Sequence, residues 1–320
     1  MIRTAESVSP KHPDKVCDRI ADAILDKCLE QDPNTRSAIE VLGGHGVVVV
    51  IGELTTNAYV DVREVVHRVV EDNNYGVMLN IAQQSGEIAN GVDTGGAGDQ
   101  GVMIGYACND NDEFMPQEYY LARSLNKFLY SKHQEDGKTQ ITLDGDKITA
   151  IVASWANVSS DALEALVLEW LATTPYERPK SIHLNPAGDW NISGFEADTG
   201  LSGRKIVIDN YGPRVLIGGG SFSGKDGTKV DRSAAYKARQ KAIEILKKEN
   251  ANEVFVRLAY AIGYNYPVQA TAVIDGEEVD LMIDKDEFQP SQIIKDLELT
   301  QPKFSKTAEY GHFGNGFVWG

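Results

Sequence analysis

The order of apolar and polar positions predicts a helix, a strand hairpin and a second helix in the first part of the chain. Apolar residues three and four apart favour a helix over 13–31. Apolar runs over 38–42 and 47–54 favour two strands with a turn at Gly43-Gly44, and a helix follows over 61–72. The residues expected on the inner faces of the helices are Val16, Ile20, Ala23, Ile24, Val62, Val65, Val66, Val69 and Val70.

The same order of elements recurs twice more along the chain. In the second copy, two helices flank a hairpin with its turn at Asp144-Gly145, and Ser159 or Ser160 is expected to cap the second helix. In the third copy, a helix, two strands and a short helix follow one another. The predicted helices span 117–132, 161–172, 232–248 and 291–297, and the predicted strands span 139–143, 148–154, 254–261 and 268–274.

Three α-β-β-α units, roughly a hundred residues apart, predict an α+β protein of three similar domains. We predict an N-terminal domain over 1–90, a central domain over 91–193 and a C-terminal domain over 194–320. Helices on one face leave the other face of each sheet open, so we expect a neighbouring domain or a second subunit to cover it. Two irregular stretches, 75–112 and 174–229, lie between the units, and long connections of this kind are usually functional.

Composition excludes several classes of function. The net charge of −16 argues against nucleic acid and against an anionic membrane as partners. Cys17, Cys28 and Cys108 have no C-x-x-C spacing, which indicates free thiols in a reducing compartment and no zinc site. The start of the chain has no apolar segment typical of a signal peptide, and no apolar run approaches the length of a membrane span. These features predict a cytoplasmic protein.

The strongest chemical signal is the glycine-rich stretch over 218–232. Its five glycines allow sharp turns and a close approach to a ligand, and it leads into a predicted helix. A glycine-rich loop before a helix N-terminus favours anions, because free N–H groups and the helix dipole point the same way. The charged residues of this stretch are Lys225, Lys229 and Arg232, which could bind phosphate, and Asp226 and Asp231, which could hold a divalent cation.

This stretch is close to a Walker A loop but does not match it. The spacing from Gly219 to Lys225 is right, whereas Asp226 stands where Ser or Thr should contact magnesium. The residues before the loop also make a weak buried strand. We therefore reject the P-loop fold and keep the phosphate-binding interpretation. The alternative, a solvated loop with ordinary surface lysines, is weaker because the glycines, lysines and aspartates occur together.

Three further motifs carry candidate chemistry. His12 and Asp14 flank the start of the first helix, where His12 could donate to a phosphate and Asp14 could coordinate magnesium, or where both could merely cap the helix. The stretch 96–101 matches G-x-G-x-x-G but lacks a strand before it and a helix after it, which leaves a loop containing Asp99. Arg204 and Lys205 could bind a polyphosphate, or could belong to a polar turn entering a strand over 205–209.

Taken together, these motifs resemble the S-adenosylmethionine synthetase (methionine adenosyltransferase) family, and they occur in the family's order over almost the whole chain. The resemblance implies three α+β domains related by a pseudo-threefold axis, with sheets packed at domain and subunit interfaces. It also implies a homodimer with shared active sites, in many members a homotetramer. The matching segments are ESVSPKHPDK (6–15), GELTTNAYVD (52–61), GAGDQGVMIGYA (96–107), DTGLSGRKIVID (198–209), GGGSFSGKDGTKVDRSAAYKAR (218–239) and TAEYGHFG (307–314).

The resemblance implies a reaction of ATP with L-methionine. The methionine sulfur attacks C5′ of ATP and displaces tripolyphosphate, which is then hydrolysed to diphosphate and phosphate. Two Mg²⁺ ions per site and K⁺ are the implied cofactors. Such chemistry needs an in-line geometry and a stabilised leaving group, and it needs no protein nucleophile.

The resemblance also implies roles for individual residues. The stretch 84–99 corresponds to a lid over the site and is shorter here than is usual in the family, so we expect an effect on turnover. The implied catalytic residues are His12, Lys138, Arg204, Lys205 and Lys225; ATP-binding residues are these five with Asp136, Trp190, Asp198 and Ser221; methionine-binding residues are Glu53, Gln84, Asp99, Asp198 and Lys229; magnesium ligands are Asp14 and Asp231; and Glu40 is a potassium ligand.

Two other functions are compatible with the same fold. A triphosphatase could use the phosphate-binding residues without methionine, although the presence of Glu53, Gln84 and Asp198 argues against it. A non-catalytic partner subunit would be expected to lack residues such as His12 or Lys225, and both are present.

Overall fold

The computed structural model describes residues 1–83 and 95–320, and within them strands and helices alternate as an α+β chain. The strands are β1 (Ile2–Val8), β2 (Arg36–Gly44), β3 (Val47–Thr55), β4 (Gly76–Ala82), β5 (Gly101–Cys108), β6 (Gly137–Asp144), β7 (Lys147–Trp155), β8 (Ser181–Leu184), β9 (Gly200–Leu201), β10 (Glu253–Tyr260), β11 (Gln269–Ile274) and β12 (Glu277–Asp280). The α-helices are α1 (Pro13–Leu29), α2 (Val62–Val70), α3 (Gln117–Lys132), α4 (Ser160–Leu171), α5 (Ile206–Asp209), α6 (Val230–Glu249), α7 (Pro290–Asp296) and α8 (Thr307–Tyr310). Short 3₁₀ helices span Gly194–Glu196, Met282–Phe288 and Phe304–Lys306.

Three four-stranded sheets exchange strands in a cycle. The strand orders are β4-β3-β2-β9, β1-β6-β7-β8 and β12-β11-β10-β5. Strand β1 of the first unit pairs with β6 of the second, β5 of the second pairs with β10 of the third, and β9 of the third pairs with β2 of the first. The predicted α+β fold of three similar units is confirmed. The cyclic exchange adds that no unit completes its own sheet.

The three α-β-β-α copies each build a core between helices and a sheet. In the first copy, Ile20 and Ile24 of α1 are fully buried against Ile39 and Val50 of the β2–β3 hairpin. Separate cores lie between α3, α4 and their sheet and around α6. The predicted Ser159 cap is confirmed, because its hydroxyl accepts the Ala162 N–H at 3.3 Å.

The first hairpin turns two residues later than the sequence indicated. Gly43 and Gly44 remain in β2, and the turn falls at His45 and Gly46, whose φ angles are 50° and 83°. Gly43 is required by packing and not by a turn, since a Cβ there would lie 2.5 Å from the Phe195 ring. A pair of glycines in the sequence does not by itself show whether it forms a turn or allows close packing.

Other differences concern short elements on the edges of sheets and in the loops. Strands β1, β4, β8, β9 and β12 were not predicted; each lies at the edge of its sheet, and the partners of β1 and β9 are distant in the chain. The alternative strand over 205–209 is wrong, because Ile206–Asp209 forms one helical turn. Cys17, Cys28 and Cys108 are free and buried. No helix in the part of the chain that the structure describes is long and apolar enough to cross a membrane.

Helix α6 lies directly on β5 at Gly105. A Cβ on Gly105 would be 2.0 Å from the carbonyl carbon of Ala238, which is backbone and has no rotamer to change. The close approach therefore depends on the absence of a side chain at this position.

We predict that Gly105→Ala lowers the free energy of unfolding by about 1–3 kcal/mol, because the new methyl group must push α6 away from β5. Gly76→Ala in β4 is the matched control, since its nearest neighbour would be 3.6 Å away, an ordinary contact distance. Urea denaturation of both variants measures the difference. Equal effects of the two substitutions would contradict this account of Gly105.

Candidate active site

Two loops of the third unit lie side by side on the edge of β2 that faces away from β3. In the clamp loop (198–205), the Ser202 N–H donates to a carbonyl of the strand at 2.9 Å. In the glycine loop (218–229), the Gly224 carbonyl accepts an N–H of the same strand at 3.2 Å. The loops meet where a Cβ on Gly203, whose φ is +75°, would lie only 2.7 Å from the Cβ of Ser221. The edge of β2 thus aligns both candidate phosphate-binding loops.

Asp14, in the first turn of α1, accepts hydrogen bonds from both cations of the clamp loop. Its Oδ1 accepts the Leu201 N–H at 2.9 Å and Arg204 Nε at 2.8 Å, and its Oδ2 accepts Lys205 Nζ. Burial acts to raise the pKa of Asp14, but the hydrogen bonds from Lys205, Leu201 and Arg204 hold this pKa below its ordinary value. The buried carboxylate therefore stays ionised and fixes both cations beside the helix N-terminus.

His12 caps the same helix as a neutral ring. Its Nδ1 accepts the Asp14 N–H at 3.2 Å, which leaves the ring proton on Nε2. Burial, followed by the positive charges of Lys205 and Lys138, lowers the pKa of His12 to about 3. At neutral pH the ring can therefore donate one hydrogen bond through Nε2 without carrying a charge.

The glycine loop presents a second cation and a second carboxylate. Lys225 Nζ donates to Asp231 Oδ2 at 2.7 Å. Asp231 lies in the first turn of α6, and its carboxylate covers Gly220, where a Cβ would be 2.1 Å from Oδ1. Only glycine fits at position 220 while Asp231 holds this position.

Asp226 fastens the glycine loop, and its possible role as a ligand of a divalent cation stays a prediction. Its Oδ1 accepts the Ser37 N–H and Lys229 Nζ, each at 2.8 Å, and its Oδ2 accepts the Thr228 N–H at 2.9 Å. These bonds fasten the glycine loop to β2 and hold Lys229 against the loop. The side chain is almost fully buried and its oxygens are already bonded.

A row of four aspartates on α1 fastens both loops and a third segment. They are spaced four residues apart, so they lie on one face of the helix. Each accepts backbone N–H groups from a distant part of the chain. Asp14 binds Leu201, Asp18 binds Gly203 at 2.9 Å, Asp22 binds Gly224 at 2.9 Å, and Asp26 binds Lys303, Phe304 and Ser305 at 2.8–2.9 Å.

Asp22 also holds a fully buried ion pair. Arg232 Nη1 and Nη2 donate to its two oxygens at 2.7 and 2.8 Å, and Nη1 also donates to the Lys225 carbonyl at 2.9 Å. Arg232, a candidate phosphate ligand in the sequence, therefore supports the glycine loop from behind, because its guanidinium is buried.

Several other predicted residues lie around His12. The charges of Lys138 and Asp198 both act on its pKa. Asp136 Oδ2 accepts the Gly194 N–H at 3.1 Å, and burial raises the pKa of Asp136 to about 6. Trp190 lies apart from these residues. It is half-buried and donates through Nε1 to Asn185 at 3.3 Å, within a separate group of hydrogen bonds after β8.

The remaining predicted residues are more dispersed. Glu40 and Glu53 lie on the outward face of the β2–β3 hairpin, and Glu40 accepts a hydrogen bond from the Ser202 hydroxyl. Asp99 is exposed just before β5 and accepts the Gln100 N–H at 2.7 Å. Gln84 and most of the lid stretch 84–99 lie outside the described residues.

Comparison with known sequences identifies the family. The model described as S-adenosylmethionine synthetase, N-terminal domain, matches residues 1–94; that of the central domain matches 94–190; and that of the C-terminal domain matches 192–320. The chain belongs to the S-adenosylmethionine synthetase family. The recognition made from the sequence motifs is thereby confirmed.

Relatives of this family align with the chain over nearly its whole length. An S-adenosylmethionine synthase of Nocardioides sp. is 40% identical, with 99% of this chain and 95% of that protein covered. One of Pseudothermotoga lettingae is 41% identical, with the same coverage, and one of Petrotoga mobilis is 39% identical, with 98% and 94% covered. The first alignment spans 375 positions, more than the 320 residues of this chain, so the chain is the shorter member of that pair.

Asp14 and Asp231 fit a metal site that is completed by substrate. Among residues 1–83 and 95–320, no group of three or more His, Cys, Asp and Glu side chains is arranged to hold a metal ion by itself. Mg²⁺ is commonly bound by one or two carboxylates together with substrate phosphates. Carboxylates beside Arg204, Lys205 and Lys225 match this pattern.

Sequence reasoning missed the residues that support the site. Asp18, Asp22, Asp26, Lys15 and Asp209 were not selected, although the spacing of aspartates along α1 was visible in the sequence. The signal was a charged row on a predicted amphipathic helix, which usually marks a solvated face. Here Asp14, Asp18 and Asp22 of the row are buried, because other segments pack on them.

We predict that low pH destabilises the protein through His12. The unfolded imidazole takes up a proton below about pH 6.5, whereas in the fold the ring stays neutral until its pKa of about 3. The variant His12→Asn keeps a capping side chain but cannot take up a proton. Between pH 7.5 and pH 5, the free energy of unfolding of the wild type should fall by about 2 kcal/mol relative to that of the variant. Urea titrations across this range measure it, and a difference independent of pH would contradict a neutral buried ring.

Proposed function

We propose that this chain makes S-adenosylmethionine from ATP, L-methionine and water, with phosphate and diphosphate as the other products. The observation that carries the proposal is the convergence of Arg204 and Lys205 on Asp14, beside the neutral His12, at the N-terminus of α1. The family membership and the names of the relatives support it.

The proposed reaction forms one bond and breaks one bond at C5′ of ATP. The methionine sulfur donates its electron pair to C5′, and the C5′–O bond electrons leave with tripolyphosphate. Negative charge therefore develops on the leaving oxygen, where preorganised donors lower the barrier most. Arg204, Lys205, Lys225 and Lys138 supply positive charge, and His12 can donate through Nε2 to the departing oxygen.

The side chains that hold the cations suggest how the site accepts the polyphosphate. Arg204 and Lys205 are fixed on Asp14, and Lys225 is fixed on Asp231, so the cations are ordered before ligand arrives. Ordered charges lose little further conformational freedom on binding. Mg²⁺, held by Asp14, Asp231 and phosphate oxygens, would neutralise further negative charge.

The other substrate and cofactor assignments follow the family. Trp190 and Asp136 are proposed to contact the nucleotide, with Ser221 in the glycine loop. Glu40 is proposed to bind K⁺. Glu53, Gln84, Asp99, Asp198 and Lys229 are proposed to bind methionine, where carboxylates suit its amino group and a lysine suits its carboxylate.

A homodimer with shared active sites is supported by the open face of the first sheet. Leu42, Val47, Ile51 and Met78 on this face are 41–62% exposed, and Glu40 and Glu53 lie on it as well. An apolar sheet face of this kind is typical of a surface that associates with another protein. A second copy of the chain would cover it and bring the proposed methionine and potassium ligands to the interface. A homotetramer would add a further contact elsewhere.

Incubation with ATP, methionine, Mg²⁺ and K⁺ tests the function directly. Mass spectrometry and a phosphate assay should find S-adenosylmethionine with equal amounts of phosphate and diphosphate. Phosphate without S-adenosylmethionine would indicate a triphosphatase, and neither product would indicate a non-catalytic subunit.

We predict that His12→Ala abolishes formation of S-adenosylmethionine and largely keeps hydrolysis of added tripolyphosphate, because only the first step breaks the bond at C5′. His183→Ala, an exposed change on β8, is the control and should leave both steps intact. Separate assays of the two steps measure the effect. An equal loss of both activities in His12→Ala would refute this role.

We predict that Asp231→Asn raises the Mg²⁺ concentration for half-maximal activity about tenfold or more, because a neutral amide is a poorer ligand. Glu249→Gln at the other end of α6 is the control, since Glu249 is exposed and pairs with the neighbouring surface residue Lys248. Rates measured across a Mg²⁺ titration give the comparison, and coincident curves for the two variants would remove Asp231 from the proposed ligands.

A further inference from the structure

We propose that Lys15, Asp18 and Asp209 are the positioning residues of the clamp loop, and that they set its affinity for polyphosphate. They hold both ends of the segment 203–209, which carries Arg204 and Lys205. The proposal rests on the proposed function, since it assumes that these two cations bind the triphosphate chain.

The three side chains form one buried chain of bonds. Asp18 Oδ1 accepts the Gly203 N–H at 2.9 Å, and Asp18 Oδ2 accepts Lys15 Nζ at 3.2 Å. Lys15 Nζ also donates to Asp209 Oδ2 at 2.5 Å. All three residues are 5% exposed or less. Lys15 thus connects the start of the segment, through Asp18, to its end at Asp209.

The segment between these two anchors is short and further restrained. The Asp209 N–H donates to the Lys205 carbonyl at 2.8 Å, which closes one helical turn. At the other end, Gly203 lies against Ser221 with no room for a side chain. Arg204 and Lys205 therefore stand on a backbone whose two ends are both tied to the first turns of α1.

The charges of this triad mainly fix the position of the segment 203–209 and contribute little to the stability of the fold. Removing three charged groups from water is costly, and buried ion pairs are often no more stabilising than neutral side chains of the same volume. What such a network supplies is a fixed arrangement of its partners. Groups that act on a reacting substrate must be held within about 0.5 Å of their working position. Arg204 and Lys205 would need this precision to bind the triphosphate chain.

The test uses Lys15→Met/Asp18→Asn/Asp209→Asn, which removes every charge of the triad and leaves none unpaired, so that the fold is kept. Asp18→Asn alone is the second variant. The control is Asp26→Asn, because Asp26 lies on the same face of α1 and accepts backbone N–H groups, but from residues 303–305 and not from the clamp loop.

Binding of tripolyphosphate is measured by calorimetry without Mg²⁺, where Mg²⁺-dependent hydrolysis does not interfere, and steady-state kinetics are measured with both substrates. We expect the Kd for tripolyphosphate and the KM for ATP to rise about tenfold or more in the triple variant, with a smaller rise in Asp18→Asn. The KM for methionine should stay within about twofold of wild type. Asp26→Asn should leave both affinities unchanged.

Three outcomes would overturn the proposal: an unchanged Kd in the triple variant with native circular dichroism, an equal loss in Asp26→Asn, or a parallel rise in the KM for methionine. If the triple variant fails to fold, Asp18→Asn decides by the same criteria. A wild type that binds tripolyphosphate and yields no S-adenosylmethionine would refute the proposed function separately, because the binding experiment does not depend on synthesis.

Discussion

The acceptance of backbone N–H groups by Asp14, Asp18 and Asp22 of α1 is the interaction on which the rest of the site depends. Asp14, Asp18, Asp22 and Asp26 take N–H groups from the clamp loop, the glycine loop and the segment at 303–305. Hydrogen bonds to a charged acceptor contribute about 1.5–3 kcal/mol each, roughly twice the value for a neutral pair. One rigid helix therefore sets the positions of three segments that are far apart in sequence and lack long regular elements of their own.

The cyclic exchange of strands explains why those segments reach α1. Each of the three sheets includes a strand from another α-β-β-α unit, and β9 of the third unit pairs with β2 of the first. This pairing brings the clamp loop onto the β2 edge, and Asp226 fastens the glycine loop beside it. The candidate site is thus built at a junction between units, where loops from one unit rest on the sheet and helix of another.

Electrostatics inside the site differ from those of the whole protein. The chain carries a net charge of −16, yet Arg204, Lys205 and Lys225 are concentrated within the two loops and paired with Asp14 and Asp231. The same pairing keeps the cations ordered, while burial and the positive charges of Lys205 and Lys138 lower the pKa of His12 and keep its ring neutral. An acidic protein can thereby hold a local site for an anion, because these cations lie close together in two adjacent loops, while the excess negative charge belongs to the protein as a whole and acts weakly beyond about 10 Å in salt solution.

The sequence by itself determined the order of the elements and the identity of the chemical groups. Helical and strand periodicity located the three α-β-β-α copies, because residues close in the chain decide which face of an element is apolar. The motifs around His12, Arg204 and Lys225 revealed the family, because their chemistry restricts the residue types. The strands β1 and β9, the turn at His45, the structural task of Asp226 and the supporting role of Asp18 were decided only by tertiary structure. Each of these features depends on a partner far away in the chain. The local sequence does not determine which distant backbone group will lie opposite a given side chain.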